Sequence, residues 1–369
     1  MATFPSKVNY TTGDVLTATE MNEIGQAINL LDGAQYAAGK NKLINGDFGI
    51  NQRAFTSTTA TSIFAFDRWR TTIVGDGTAT FTTQTFTPGT APVSGYEGKN
   101  YLRIVTTGQT AAGTFTDIRQ KIESVRTLAG QTATVSFWAK ANTGTPKVAV
   151  EFQQSFGFGG SPSTAVTTYA GQATLSTSWA RYSLTVAVPS ISGKTLGTTE
   201  DGDLGIELIV SAGSDFNART GSLGIQSNTF EFWGVQVEEA DTASPFQTAS
   251  ATKQGELALC QRYYFRTTAS AGSQTATGIM GITNSTTNLV GVVRPPVTMR
   301  AIPSSVEFSA VGVQTTGSAL TAISAITISA DTTNDTSQLN CTSSGFTANL
   351  YGLVRGTTGA GYVGLSAEL

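Results

Sequence analysis

The residues best suited to chemistry lie close together. Gln153, Gln154, Phe156, Phe158 and Tyr169 combine side-chain amides with aromatic rings in one turn-rich region. Flat apolar rings stack on the C–H faces of a pyranose and amides pair with its hydroxyls, so this combination suits glycan recognition. Gly157, Gly159 and Gly160 leave two readings open: rings lifted into solvent, or a tight turn that tucks both phenylalanines inward. Glu151, Asp201 and Glu207 are carboxylates of the type that glycan hydrolysis uses in pairs held ~5–10 Å apart, yet nothing in the spacing marks two of them as partners. Glu200, Asp201 and Asp203 crowd just ahead of a strand. Without a twelve-residue ligand pattern they read as a solvated turn rather than a calcium loop. The chain has no histidine, which excludes Ser-His-Asp and Cys-His triads and His-ligated metals. FGFGGS and GTTGAGYVG do not join a strand to a helix, so neither cradles a phosphate. No catalytic residue is assigned, and the protein is expected not to be an enzyme.

These side chains need elements to hold them, and composition says which kind. Only 13% of the 369 residues are charged and 40 are glycine, a mixture that suits short strands and turns and disfavours long amphipathic helices. A length of 369 residues accommodates two or three domains. Period-two alternation recurs from Leu43 to about Phe246: Val135, Phe137 and Ala139 form one face, Val148, Val150 and Phe152 another, Tyr182 to Val188 a third, and Leu204 to Val210 a fourth. Such runs separated by Gly, Pro and Asn turns predict an antiparallel sandwich, with jelly-roll topology expected. The same grammar repeats beyond Glu256, with strands expected at 290–293, 306–308, 322–328 and 346–354. The stretch from Phe230 to Tyr264 is expected to close one β domain and open the next without an intervening helix, the chain restarting at Leu257 as a strand. Trp69, Trp138, Trp179 and Trp233 are expected in the core or at inter-chain contacts.

Ahead of these domains, residues 1–40 form a distinct leader. Thr17 and Glu20 have the spacing of a capping box, and Met21, Ile24, Ile28 and Leu31 follow as a short heptad stripe ending near Asp32-Gly33. So short a helix must pack on something: the first β domain, or other copies of itself, with Ile in the stripe favouring trimers. The chain is therefore expected to be mainly β: two antiparallel jelly-roll-like sandwiches in series after a short N-terminal helix, at 1–40, 41–250 and 251–369. Net charge is −3 and the 22 basic residues are scattered, so no nucleic-acid partner is expected. Met1 to Asn9 lacks an apolar signal-peptide run, and the absence of ~18 consecutive apolar residues predicts no membrane insertion. Cys260 and Cys341 form either one disulfide or two buried thiols.

Several phrases carry a family resemblance. NKLINGDFGINQR at Asn41 to Arg53, FDRW at Phe66 to Trp69, FWAKA at Phe137 to Ala141, QQSFGFGGSPS at Gln153 to Ser163, PSISGKTLGT at Pro189 to Thr198 and FWGVQVEEADTASPF at Phe232 to Phe246 together resemble the carbohydrate-binding-module-like jelly roll of phage tail-fibre and related virion proteins. ELALCQRYY at Glu256 to Tyr264, RPPVTMRAIP at Arg294 to Pro303 and the leader are similar to other segments of that group. The resemblance implies a homotrimeric tail-fibre or receptor-binding component that adsorbs to a host surface glycan, attaches to another virion protein through its N-terminal segment, and resides in the virion after assembly in the host cytoplasm. A capsid- or neck-attached fibre or decoration protein is the alternative, and a glycan depolymerase a third. Many sugar-binding jelly rolls hold calcium through a carboxylate on the last strand. Trp233-Gly234 occupies that place here, so no cofactor is expected, and Asp47 and Glu238 are the nearby oxygen donors to which calcium could bind.

Overall fold

A computed structural model of the protein describes residues 15, 17–22, 24, 38–269, 276–316, 318–357 and 361–369. The chain is mainly β, and every strand pairing among the described residues is antiparallel. The capping box forms as its spacing predicts: Thr17 N–H donates to Glu20 at 2.8 Å and Glu20 N–H donates to the Thr17 hydroxyl at 3.2 Å. Residues 18–22 are helical, with Met21 exposed and Ile24 half-buried, while Ile28 and Leu31 lie outside the described residues.

Eleven strands follow: β1 (Ser57–Thr58), β2 (Arg70–Val74), β3 (Thr78–Thr85), β4 (Asn100–Thr107), β5 (Phe115–Glu123), β6 (Thr132–Ala141), β7 (Lys147–Ser155), β8 (Val166–Thr174), β9 (Ala180–Ala187), β10 (Asp203–Ala212) and β11 (Thr229–Glu239). They pair into a six-stranded sheet, β1-β3-β4-β11-β6-β9, and a five-stranded sheet, β2-β5-β10-β7-β8. The alternation seen in the sequence decides which face of each strand turns inward. Phe137, Phe152, Phe232, Leu204 and Ile206 are fully buried between the sheets with Trp69, each large apolar side chain contributing ~1.5–3 kcal/mol by leaving water. A second aromatic cluster covers the other side of the six-stranded sheet, where Trp233 packs on Phe246 at 4.9 Å and edge-on to Tyr96 at 5.3 Å between ring centroids. Gly234 sits beside Trp233 at the register shift in β11 with a φ of 63°, and a Cβ there would lie 3.0 Å from the Trp138 ring. Glycine meets both demands at once.

The second set is β12 (Tyr264–Thr268), β13 (Ala276–Thr283), β14 (Asn288–Val293), β15 (Ser305–Ser309), β16 (Val311–Thr315), β17 (Thr321–Ala322), β18 (Ala325–Ile328), β19 (Ser337–Thr342), β20 (Tyr351–Gly356) and β21 (Tyr362–Ser366). A three-stranded sheet, β12-β21-β15, packs on a seven-stranded one, β17-β16-β20-β13-β14-β19-β18, with Ile279, Leu289, Leu339, Val354 and Leu365 between them. Cys260 and Cys341 are free buried thiols. Among the described residues no helix is long and apolar enough to cross a membrane.

Two expectations need correction. The chain does not restart as a strand at Leu257, because Lys253–Gln261 is a helix whose first turn is capped by the Thr252 hydroxyl accepting from Gly255 N–H at 3.1 Å. Lys, Gln, Glu, Leu and Ala are strong helix formers, and here propensity and cap together outweigh the apolar run Leu257 to Cys260. The strand expected from Phe346 begins only at Tyr351, since Phe346 is buried in the preceding turn.

Candidate functional site

Period-two alternation has a second consequence on the five-stranded sheet: whatever separates the core residues faces outward. In β10 Leu204, Ile206 and Leu208 point into the sandwich, so Asp203, Gly205 and Glu207 line the outer face. The same rule places Asp117, Arg119 and Lys121 of β5, and Glu151 and Gln153 of β7, on that face. Register then aligns them in rows. One row runs Arg70, Arg119, Glu207, Glu151 and Tyr169 across all five strands, and the next runs Lys121, Gly205, Gln153 and Thr167.

The floor of this face is an ion-paired network. The Arg119 guanidinium donates to Asp117 at 2.6 Å and meets Glu207 at 2.9 Å; Arg219, carried over the sheet by the short helix Asn217–Thr220, grips Glu151 at 2.7 and 2.9 Å and reaches Glu207 at 3.3 Å. Asp117, Glu151 and Glu207 are buried, whereas both arginines keep part of their surface in water. Burial, reinforced by the neighbouring Asp117 carboxylate, raises the Glu207 carboxyl above its ordinary range, against the pull of Arg119. Arg119 is held more firmly protonated than usual because the Asp117 and Glu207 carboxylates outweigh its own loss of solvent. Asp203 is also raised by burial, against the pull of Lys121 at 2.9 Å, and its Oδ1 is a buried acceptor without a hydrogen-bond partner among the described residues.

Above this floor stand the groups able to touch a ligand. Tyr169 is 39% exposed at the edge of the first row. Its ring rests against Gly221, whose φ is 61° and where a Cβ would come within 2.4 Å of it, so a larger residue there would displace the ring. Gln153 is half-buried two residues along β7 from Glu151, opposite Thr167, and Gly205 leaves the row beside it without a side chain. The arrangement offers one aromatic edge and amide, ammonium and guanidinium donors.

The other sequence-based candidates are dispersed. Gln154 points into the sandwich, its Nε2 donating to Pro189 C=O at 2.9 Å, because neighbours in a strand face opposite ways. Phe156 is buried, with Lys194 Nζ at 5.7 Å from its ring, and forms one wall of a hollow of about 440 Å³ with Arg126 and Glu200. Phe158 is 71% exposed in the adjoining turn, where its N–H donates to Asp201 at 3.0 Å. Both open readings of this turn are thus realised, one ring inward and the other outward. Asp47 accepts from the Tyr96 hydroxyl at 2.7 Å and lines a cavity of about 370 Å³ with Glu256 and Lys99. Glu238 accepts from Ser244 N–H at 2.8 Å, Ser244 Oγ at 2.7 Å and Gln236 Nε2 at 2.8 Å, with Lys40 at 3.3 Å. The two carboxylates have separate partner sets, and the described residues contain no group of three or more acidic, Cys or His side chains arranged to hold a metal ion. Sequence reading singled out neither Arg119, Arg219 nor Lys121, and did not pair Glu151 with Glu207. The signal was the interrupted alternation in β5, β7 and β10, but only register reveals the row.

No protein-family model matches this chain, and no curated protein matches it. Solved structures do. The chain is similar to the enzymatically active domain of tailspike protein 4 from bacteriophage CBA120, with 12% identity and a TM-score of 0.32 over 55% of this chain and 22% of that one, and so spans about a fifth of that protein's length. It is similar to a family-4 carbohydrate-binding module, with 18% identity and a TM-score of 0.29 over 53% of this chain and 98% of that one. It is also similar to a family-22 xylan-binding domain from Paenibacillus barcinonensis, with 16% identity and a TM-score of 0.29 over 47% of this chain and 92% of that one.

Proposed function

We propose that this chain is a non-catalytic glycan-binding component of a phage virion, a tail-fibre or receptor-binding subunit, whose ligand lies across the outer face of the five-stranded sheet. The observation that carries the binding reading is the in-register row from Arg70 to Tyr169 with Gln153 and Lys121 beside it. Groups locked by ion pairs present donors in fixed directions at little entropic cost, and an exposed tyrosine supplies the flat contact that a sugar ring needs. The virion role rests on the phrases in the sequence. Homotrimer formation would multiply weak single sites into effective adsorption.

Hydrolysis is the second reading, because Glu151 and Glu207 stand directly opposite each other and burial raises the proton affinity of Glu207. Against it, both carboxyl groups are buried under arginines that occupy their oxygens. The test is binding of the purified full chain to host surface polysaccharide by calorimetry. Tyr169→Ala and Gln153→Ala should each weaken binding about tenfold, the equivalent of ~1.4 kcal/mol, while Phe158→Ala should not. Unchanged affinity in the first two variants would sink the assignment of the face, and a fall in polymer length during incubation would replace binding by hydrolysis. Absence of competition with phage adsorption would favour a capsid- or neck-attached decoration protein.

A further inference from the structure

The seven-stranded sheet breaks the rule that the five-stranded one obeys. In β13, β14 and β20 the inward residues Ile279, Leu289 and Val354 are fully buried, yet the outward ones are also apolar: Met280, Ile282, Val290, Val292, Tyr351 and Leu353. Register makes them one patch, since Met280 pairs with Val292 and Leu353, and Ile282 with Val290 and Tyr351. Met280 is 64% and Tyr351 77% exposed, and no described element covers them. An antiparallel sheet with one face in water alternates apolar with polar residues; apolar residues on both faces are the pattern of a sheet covered on both sides.

We infer that this face is the surface through which copies of the chain associate. Ile282 and Val292 are 44% and 41% exposed beside Met280 and Tyr351, so the patch is a contiguous apolar surface of the kind that marks interaction sites. The rim argues for a second copy as occupant. Outward positions on the flanking strands are Gln314 of β16 and Gln338, Asn340 and Thr342 of β19; Arg355 is the single charged residue on the face, and no carboxylate or lysine stands there among the described residues. A face with an apolar centre and a rim of amides and hydroxyls is complementary to itself, because apposing two copies brings no opposing rows of like charge together. A shallow hollow of about 400 Å³ between Met280, Gln314 and Tyr351 offers room for a protruding side chain from the neighbour. The centre, Met and Tyr among aliphatics with charge depleted, has the composition of an interface core.

This surface is independent of both the glycan face and the heptad stripe of the leader. Light scattering on the full-length chain should give a multiple of the chain mass at micromolar concentration, and Met280→Lys with Val292→Lys should reduce it to one chain while far-ultraviolet circular dichroism stays unchanged. Hydroxyl-radical footprinting of the unaltered protein removes any dependence on variant folding: Met280 and Tyr351 should be reactive at nanomolar concentration and at least fivefold protected at tens of micromolar. A monomer at tens of micromolar, a folded double-lysine variant that keeps the multimer mass, or protection that appears only with added polysaccharide would each overturn the inference.

Discussion

At the scale of residues, the outer row of the five-stranded sheet is a balance between burial and pairing. Arg219 is the clamp over Glu151 and Glu207. Replacing it with Ala leaves a buried carboxylate without its cation, a change that typically costs ~3–5 kcal/mol; the urea midpoint of the first sandwich should fall accordingly. Glu207 makes a separate prediction. Its carboxyl is raised from 4.5 to about 9 in the folded chain, so between these values the native state binds a proton that the unfolded state has released. This contribution to stability is complete below about pH 4.5 and is lost as pH rises toward 9. Unfolding free energy should therefore decline across the neutral range, and Glu207→Gln should flatten that decline; an unchanged pH profile in the variant would refute it. The alternation of β10 in sequence already told which side Glu207 faces. What it meets there depended on the pairing of strands more than fifty residues apart.

The element that matters most at the next scale is the helix Lys253–Gln261, which stands where the sequence reading placed none. Its Glu256 side chain is buried and accepts from the backbone N–H of Asn45 and from Ser250 N–H at 3.0 Å, so the helix is tied to the first sandwich. Thr252→Ala removes the cap, and a loss of about 1 kcal/mol is expected. Glu256→Ala goes further by leaving the Asn45 N–H unsatisfied, for ~1–3 kcal/mol. Hydrogen exchange at residues 253–261 should accelerate in both variants, more strongly in the second. The strands of both sandwiches were legible from alternation, down to the inward faces of β6, β7 and β10. The helix was not, because a nine-residue segment with apolar Leu257, Ala258, Leu259 and Cys260 satisfies either period, and the Asn45 N–H that ties Glu256 to the first sandwich lies more than two hundred residues away.

For the whole molecule, the join between the two sets of sheets is polar and specific. Glu368, next to β21, pairs with Arg68 and Arg53 of the first sandwich; Gln52 Nε2 donates to Tyr264 C=O at 2.7 Å; and Arg262 meets Glu123 at 3.0 Å. Arg68 is the most committed of these groups, its side chain 1% exposed and its guanidinium 3.3 Å from the centre of the Tyr263 ring. Glu368→Ala should leave that guanidinium buried without its anion, at ~3–5 kcal/mol. Calorimetry should give one transition for the unaltered chain and resolve two in the variant. A single transition at the original temperature would show the clamp to be dispensable.

The sequence by itself determined the mainly β class, the inward face of many strands, the capping box and the absence of histidine chemistry, because these follow from side-chain type and short-range period. It also marked Gln153 and Tyr169, though not their separation from Gln154 and Phe156. Only the tertiary structure decided that Arg70, Arg119, Glu207, Glu151 and Tyr169 form one row, that Asp47 and Glu238 serve different networks, and that the seven-stranded sheet turns an apolar face outward. Register, burial and proton affinity are set by contacts between residues distant along the chain, and no local pattern specifies them.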